Sequence, residues 1–171
     1  MGIRSKLTTK PGKLDPFSKA VLRELGKRVA IGLPGDSMHP GEPGEPAISN
    51  ATLGYILEHG APDRNVPARA HLVPGVEKIE GDAAERLKKA AAAAFAGDLD
   101  APEKALHAIG LLGVNAVRAE ITDGTFAPLS ERTLEARRAR GRTGEKPLLD
   151  TAQYRNAVTY GIVRGNLKHG D

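Results

Sequence analysis

The chain contains no cysteine and no tryptophan, and aromatic residues make up only 4% of its 171 residues. The absence of cysteine excludes disulfide bonds, thiolate chemistry and zinc sites with cysteine ligands. Because aromatic residues are scarce, the core must be aliphatic and rich in alanine. No run of about 18 apolar residues occurs, so no membrane-spanning helix is predicted. There is no apolar secretion signal either, and we expect the protein to be soluble and to start in the cytoplasm.

The sequence also lacks the short motifs that mark common active sites. It contains no Walker loop, no dinucleotide-binding glycine fingerprint, no nucleophile elbow and no H-E-x-x-H zinc motif. Its five histidines are scattered, and no two lie four residues apart on a predicted helix. We therefore predict no catalytic residue, no metal and no cofactor. An enzyme with dispersed catalytic groups around Glu58 and His71 is the alternative.

Apolar periodicity predicts two strands and several helices. Residues 28–35 and 157–164 alternate between apolar and polar positions, which is typical of half-buried strands. Two long helices are predicted, one beginning at Gly81 and Asp82 and the other near Asp100. The expected fold class is α+β, with a small antiparallel or mixed sheet packed against two long helices, together with long loops and an N-terminal arm.

The predicted helices carry specific expectations about packing and capping. The first long helix is expected to bury a stripe formed by Leu87, Ala91, Ala94 and Phe95. Gly110 and Gly113 in the second are expected to let another backbone approach closely, because each costs about 1 kcal/mol relative to alanine. Capping residues are predicted at four helix starts, namely Asp15, Ser130, the pair Asp100 and Glu103, and the pair Asp150 and Gln153.

Composition divides the chain into three parts. Residues 1–13 carry four cations and no acid, and are predicted to be a basic arm that is ordered only by a partner. Residues 14–165 are expected to form a single domain. Within it, residues 34–46 hold four prolines and three glycines and are predicted to form a long irregular loop. Residues 166–171 are a polar tail.

The stretch VPARAHLVPG (66–75) places two prolines around an arginine and a histidine. Pro67 and Pro74 restrict the backbone, so the residues between them are predicted to be nearly straight. Such a segment suits a position against a surface or at a sheet edge. Arg69 on this segment is placed to bind a carboxylate with its forked guanidinium, and Glu58 is the candidate partner.

The strongest concentration of charge is RRARGR at residues 137–142. One interpretation is a surface that contacts DNA in a channel or an acidic partner. The other is the solvated end of a helix, where cations interact favourably with the helix dipole. The residues concerned are Arg137, Arg138, Arg140 and Arg142. A small basic DNA-binding protein is therefore the alternative function, and the net charge of +4 is compatible with it.

Three segments together resemble a known protein family. YILEHGAPDRNVPARAHLVPG (55–75) resembles an aromatic-x-x-Glu-aromatic-Gly pattern followed, after a variable loop, by Ile-Pro-Ala-Arg-Pro-Phe-Leu. AEITDGTFAPLSERTLEARR (119–138) resembles Ile-x-x-Gly, Pro-Leu and a Thr-Leu helix. EKPLLDTAQYRNAVTYGIV (145–163) resembles Lys-Pro-Leu-Ile-Asp-Thr-Gly-x-Leu followed by a strand. The combination is similar to the neck and tail-completion proteins of long-tailed bacteriophages, including virion-morphogenesis proteins of Mu-like phages.

The resemblance spans residues 28–164 and implies a structural virion protein with no catalytic residue and no cofactor. It implies a homo-oligomeric ring, usually a hexamer, that joins the tail tube to the connector where head and tail meet. The implied partners are other neck, connector and tail-tube proteins, with DNA passing through the ring and no membrane. The implied location is the tail or neck of the virion, assembled in the host cytoplasm.

The positions that match the family pattern are the candidate structural and interface residues. They are Glu58, Gly60, Pro67, Arg69, Pro147, Asp150 and Thr151. The chain departs from the pattern at His59, at Ala70 and His71, and at Ala152 and Tyr154.

Overall fold

The computed structural model describes residues 15–39 and 47–164. The predicted arm 1–13, residues 40–46 of the predicted loop and the predicted tail 166–171 lie outside these ranges. The described chain forms, in order, α1 (Pro16–Leu25), β1 (Lys27–Gly32), β2 (Met38–His39), β3 (Ile48–Ser49), α2 (Asn50–His59), a 3-10 turn (Pro62–Arg64), α3 (Leu72–Glu77), α4 (Glu80–Phe95), α5 (Ala101–Asp123), α6 (Glu131–Ala139), α7 (Gln153–Ala157) and β4 (Thr159–Arg164). This is an α+β fold, and the predicted fold class is confirmed.

The strands form two small antiparallel ladders. β1 pairs with β4 over six residues, from Lys27 opposite Arg164 to Gly32 opposite Thr159. β2 pairs with β3 over two residues, so the described part of the predicted irregular loop contains a short strand. The predicted strand at 157–164 begins two residues later than expected, because α7 occupies the residues before Val158.

The longest helix, α5, forms the centre of the fold. Both strands of the β1–β4 ladder pack on it, and α3 and α4 pack on it as well. Val114, Val117 and Ile121 on α5 are buried with Tyr154 and Val158, which come from the C-terminal part of the chain. Because α5 presents apolar residues on several sides, it can join elements that are far apart in sequence. Within the described ranges, no helix has the length and apolar character needed to cross a membrane.

The buried face of α4 differs from the predicted stripe. Ala90 and Ala94 are buried, whereas the side chains of Leu87 and Phe95 are 44% and 65% exposed. Alanines allow α4 to approach α5 closely, because the distance between two helix axes is set by the side chains at the contact. The larger apolar side chains therefore remain on the surface.

The helix-capping predictions are confirmed at two of four positions. Asp15 accepts a hydrogen bond from the Ser18 N–H (3.0 Å), and Ser130 caps α6. The predicted box at Asp100 is wrong, since its backbone is already helical and Asp98 accepts the N–H of Asp100 instead. The predicted box at Asp150 is also wrong, because its carboxylate pairs with an arginine.

The predicted approach of another backbone at Gly110 and Gly113 on α5 is wrong, because both glycines make room for side chains. A Cβ added at Gly110 would overlap with the ring of Tyr160, and one added at Gly113 would overlap with Ile31. A third contact of this kind involves backbone. A Cβ at Gly75 on α3 would lie 2.7 Å from the Cα of Val117 on α5. α3 therefore rests directly on the backbone of α5.

We expect Gly75→Ala to lower the free energy of unfolding by about 1–3 kcal/mol, because the added methyl group forces α3 away from α5. The matched control is Gly81→Ala on α4, where nothing lies within 4 Å of the added Cβ. This control should be neutral or slightly stabilising, since alanine favours helices. Urea denaturation followed by circular dichroism measures both variants. Equal stability of the two would contradict the close packing of α3 on α5.

Candidate functional site

The proline-containing stretch returns the chain along the C-terminal end of α2. Gly60 ends α2 with φ of 78°, and a Cβ there would lie 2.8 Å from the backbone nitrogen of Ala68. Ala61 and Val66 exchange two backbone hydrogen bonds of 2.8 and 3.0 Å around the 3-10 turn. The Arg69 N–H then donates to the Leu57 carbonyl (2.7 Å). The candidate residues Gly60 and Pro67 therefore shape a tight reversal of the backbone.

The end of this stretch differs from the extended prediction. Leu72 begins α3, and Pro74 lies in its first turn, where a residue without an N–H is tolerated. The Glu58 carboxylate accepts three backbone hydrogen bonds at this helix start. They come from His71 (2.8 Å), Leu72 (2.8 Å) and Val73 (3.0 Å). Glu58 thus joins α2 to α3 and satisfies N–H groups that the helix itself cannot pair.

Glu58 is buried, and its charge is stabilised by these donors. Burial alone would raise the pKa of the carboxyl group. The three backbone donors outweigh burial and hold the pKa below its ordinary value of 4.5. Glu58 is therefore a carboxylate at neutral pH. Its oxygens accept the backbone hydrogen bonds that hold the start of α3.

His71 is fully buried and both of its ring nitrogens are hydrogen-bonded. Nδ1 lies 2.7 Å from the Arg69 carbonyl oxygen, so Nδ1 carries the proton and donates it. Nε2 lies 2.6 Å from the Tyr154 hydroxyl. In a neutral imidazole Nε2 accepts, so the Tyr154 O–H must donate. When the ring is neutral, as its lowered pKa favours at neutral pH, this geometry corresponds to the Nδ1–H tautomer.

The titration behaviour of this pair follows from its burial. Burial lowers the pKa of His71, although the Arg69 carbonyl and the charges of Glu58 and Glu120 act against this shift. Burial, and secondarily the charge of Glu58, raises the pKa of Tyr154 above its ordinary value. Both rings are neutral at neutral pH. His71 has no exposed surface and no free nitrogen, so a substrate cannot reach it for proton transfer.

The predicted ion pair between Arg69 and Glu58 is wrong. The Arg69 guanidinium is directed to the loop after α5, where Nε donates to the Ala127 carbonyl (2.9 Å) and Nη2 to the Pro128 carbonyl (3.0 Å). Burial, with the neighbouring charge of Arg137, lowers the pKa of Arg69. Glu58 is unavailable because the N-terminus of α3 occupies it. Arg69 thus fixes the loop before α6.

The arginine cluster does not form a single exposed surface. Arg137 is only 6% exposed, and its Nη1 lies within 3.1 Å of the carbonyl oxygens of Gly144, Lys146 and Leu149. The interpretation of Arg137 as a DNA or acidic-partner contact is therefore corrected, because its donors organise the loop before α7. Asp150, a candidate interface residue, lies 3.6 Å from the Arg137 Nε.

The other three arginines lie nearer the surface and also contact their own chain. Arg138 pairs with Glu131 (2.8 Å), and Arg142 pairs with Asp150. Arg140 donates to the Ala136 carbonyl (2.9 Å). The charges of Arg138 and Arg142 are thus partly neutralised by carboxylates. The contact of these three arginines with DNA or an acidic partner stays a prediction.

The remaining candidates lie in the same loop. Pro147 is half-buried and Thr151 is exposed, with its hydroxyl 3.4 Å from the Gln153 N–H. Lys146 in this loop donates to the Thr122 carbonyl (3.1 Å) at the end of α5. These contacts attach the loop before α7 to the central helix.

The three segments that carry the family resemblance meet around His71. Its ring contacts Phe126 from the second segment edge-on, with centroids 6.5 Å apart, and Tyr154 from the third at 5.5 Å. Sequence reasoning missed the His71–Tyr154 bond, because 83 residues separate its partners. It also missed Arg118, whose Nη2 donates to the Asn156 and Val158 carbonyls. No sequence feature indicates either contact.

An open apolar groove of about 670 Å³ lies between β1, α3, α4 and α5. Its walls include Val29, Ile31, Val73, Val76, Ile79 and Leu87. Val73 is 56% exposed and Leu87 is 44% exposed, so part of the apolar wall faces outward. Two carboxylates, Glu77 and Glu80, line the groove, and neither forms an ion pair with another described residue.

Neither a metal site nor a relative defines a function here. Among residues 15–39 and 47–164, no group of three or more histidine, cysteine, aspartate or glutamate side chains is placed to hold a metal ion. Comparison of the chain with protein-family models, curated proteins and solved structures finds no match in any of the three. The buried polar cluster and the apolar groove are therefore the features from which a function is argued.

We expect Tyr154→Phe to lower the free energy of unfolding by about 1–3 kcal/mol, because it leaves the buried His71 Nε2 without a donor. Tyr160→Phe is the matched control, since its hydroxyl also contacts a histidine, His107, but at an exposed site. The control substitution should lower the free energy of unfolding by much less. Urea denaturation at pH 7.5 compares the two, and an equal loss would show that the buried bond contributes nothing special.

The stability of the protein should fall between pH 7.5 and pH 5.5. The pKa of His71 is lower in the folded than in the unfolded chain, where it is about 6.5, so the unfolded chain binds the proton more readily. The stabilisation is complete above about pH 6.5 and is lost as pH falls towards the folded pKa. The midpoint of urea denaturation, measured at several pH values between 7.5 and 5.5, gives the change in stability.

The control for this pH effect is His71→Gln, which cannot take up the proton. It should be less stable at pH 7.5 but lose less stability on acidification than the unaltered chain does. If the variant does not fold, NMR of the unaltered protein should still show a neutral Nδ1–H imidazole for His71 at pH 7. A protonated ring at that pH would contradict the assignment.

Proposed function

We propose that the chain is a structural virion protein that forms a homo-oligomeric ring, with six copies expected, at the head–tail junction of a tailed phage or prophage. In this role it joins the tail tube to the connector. The resemblance of residues 28–164 to neck and tail-completion proteins supports the phage setting. The apolar groove between β1, α3 and α4 is the observation that carries the assembly role.

The groove supports self-association because its apolar side chains are incompletely covered by the described chain. Exposed apolar surface bordered by charge is typical of protein–protein contacts. In a closed ring each copy presents one surface to a different, complementary surface of the next copy. An open groove on one side of the molecule suits such a contact.

The buried cluster supports a structural role over a catalytic one. Glu58 and His71, on which the enzyme alternative depends, use their polar atoms to join α2, α3 and α7. The surface side chains of Arg138 and Arg142 pair with carboxylates, which reduces the free positive charge offered to nucleic acid. These contacts favour an assembly protein, in which rigid elements hold interaction surfaces in place.

Native mass spectrometry and negative-stain imaging of the full chain test the proposal. We expect a ring whose mass is a multiple of the 18.0 kDa chain, with the sixfold species predominant. A particle that remains a single chain at micromolar concentration, and binds DNA with the steep salt dependence of phosphate contacts, would favour the DNA-binding alternative. Incorporation of the tagged chain into purified phage particles tests the location.

Leu87→Arg should dissociate the ring, because a charge is then placed against the apolar surface of the neighbouring copy. The matched control is Leu111→Arg, a change at a side chain that is 56% exposed on α5 and does not line the groove. The control should retain the ring. Oligomer mass at a fixed chain concentration gives the comparison. Retention of the ring by both variants would exclude the groove as the contact.

A further inference from the structure

We propose that the groove between β1, α3 and α4 binds the N-terminal segment, residues 3–10, of a neighbouring copy. This inference rests on the proposed ring and identifies what fills its contact surface. The segment IRSKLTTK lies outside the described residues. Two properties of its sequence make it complementary to the groove: its apolar pattern and its charge.

The apolar pattern of the segment suits an apolar groove. Ile3 and Leu7 are four residues apart. Residues at this spacing lie on one side of an extended segment and also on one side of a helix. The two aliphatic side chains can therefore enter the groove together in either conformation. Val73 and Leu87 supply exposed apolar surface to receive them.

The charges of the segment and the groove are opposite. Residues 1–13 carry four cations and no acid. Glu77 and Glu80 line the groove, and the described residues provide no cation for either of them. A basic segment would neutralise both carboxylates. Contacts between such charges increase the rate and the specificity of association more than the affinity.

The segment is assigned to a neighbouring copy because the proposed ring uses the groove as a contact between copies. Asp15 begins the described chain, and α1 then extends about 15 Å towards Leu25. Leu25 lines a smaller cavity next to the groove, and Val29 and Leu87 line both. No residue of α1 lines the groove itself. The six steps from Thr9 to Asp15 span at most about 22 Å, which exceeds the length of α1. The experiment must therefore distinguish a neighbour's groove from the segment's own groove.

Cysteine cross-linking tests the contact without background, because the chain has no cysteine of its own. One full-length chain carries Ser5→Cys, and a second, distinguished by an affinity tag, carries Ala84→Cys in the groove wall. After mild oxidation of the mixed chains, we expect a disulfide between the two. The matched control is Ala92→Cys, an exposed position on the same helix outside the groove. It should cross-link several-fold less.

Two further variants test the chemistry of the contact. Leu7→Glu in the Ser5→Cys chain should abolish the cross-link, because it removes an apolar anchor. Glu80→Lys in the Ala84→Cys chain should weaken the cross-link, and Lys6→Glu in the other chain should restore part of it. Insensitivity to all of these changes would overturn the proposal.

The outcomes separate this inference from the proposed function. A cross-link between the two chains, lost with Leu7→Glu, supports the docked segment. A cross-link that forms only within a chain carrying both cysteines would show that each copy fills its own groove and would overturn the neighbouring-copy assignment. A ring of the expected mass without the cross-link overturns the docking and leaves the ring intact. A single 18.0 kDa chain without the cross-link overturns both.

Discussion

The fold depends on a buried network of hydrogen bonds in which Glu58 and His71 join segments from both halves of the chain. Glu58 accepts the N–H groups at the start of α3, and His71 connects the Arg69 carbonyl to the Tyr154 hydroxyl. Each bond satisfies a polar group that would otherwise be buried without a partner. Loss of one member would leave the others uncompensated in a medium of low dielectric constant, which makes the network a strong constraint on structure.

This network holds the walls of the groove, the proposed contact surface, in place from the interior. The start of α3, the loop at Ala127 and Pro128, and α7 are held from the interior by the buried side chains of Glu58, Arg69 and His71. α3 can consequently be a helix of only six residues and still sit firmly on α5, with one side facing the groove. A rigid apolar wall costs little conformational entropy when a partner binds, which favours association.

Much of the architecture was predictable because it follows from local chemistry. The α+β class, the two long helices and the caps at Asp15 and Ser130 came from periodicity and residue type. The prediction for the site was less complete. Glu58 and Arg69 were predicted to pair with each other, and they do not. Glu58 accepts backbone N–H groups at the start of α3, and Arg69 donates to backbone carbonyls after α5, because each charged group is satisfied by the nearest main chain.

The sequence by itself determined the fold class, the two long helices, the exclusion of disulfide and thiolate chemistry by the lack of cysteine, and where charge is concentrated. Only the tertiary structure decided that Arg137 is interior, that His71 is neutral and that Leu87 is exposed. These properties depend on how α4, α6 and α7 rotate and pack against the rest of the chain. Such packing arises from contacts between residues far apart in sequence, and a local pattern does not encode which partner a polar side chain will meet.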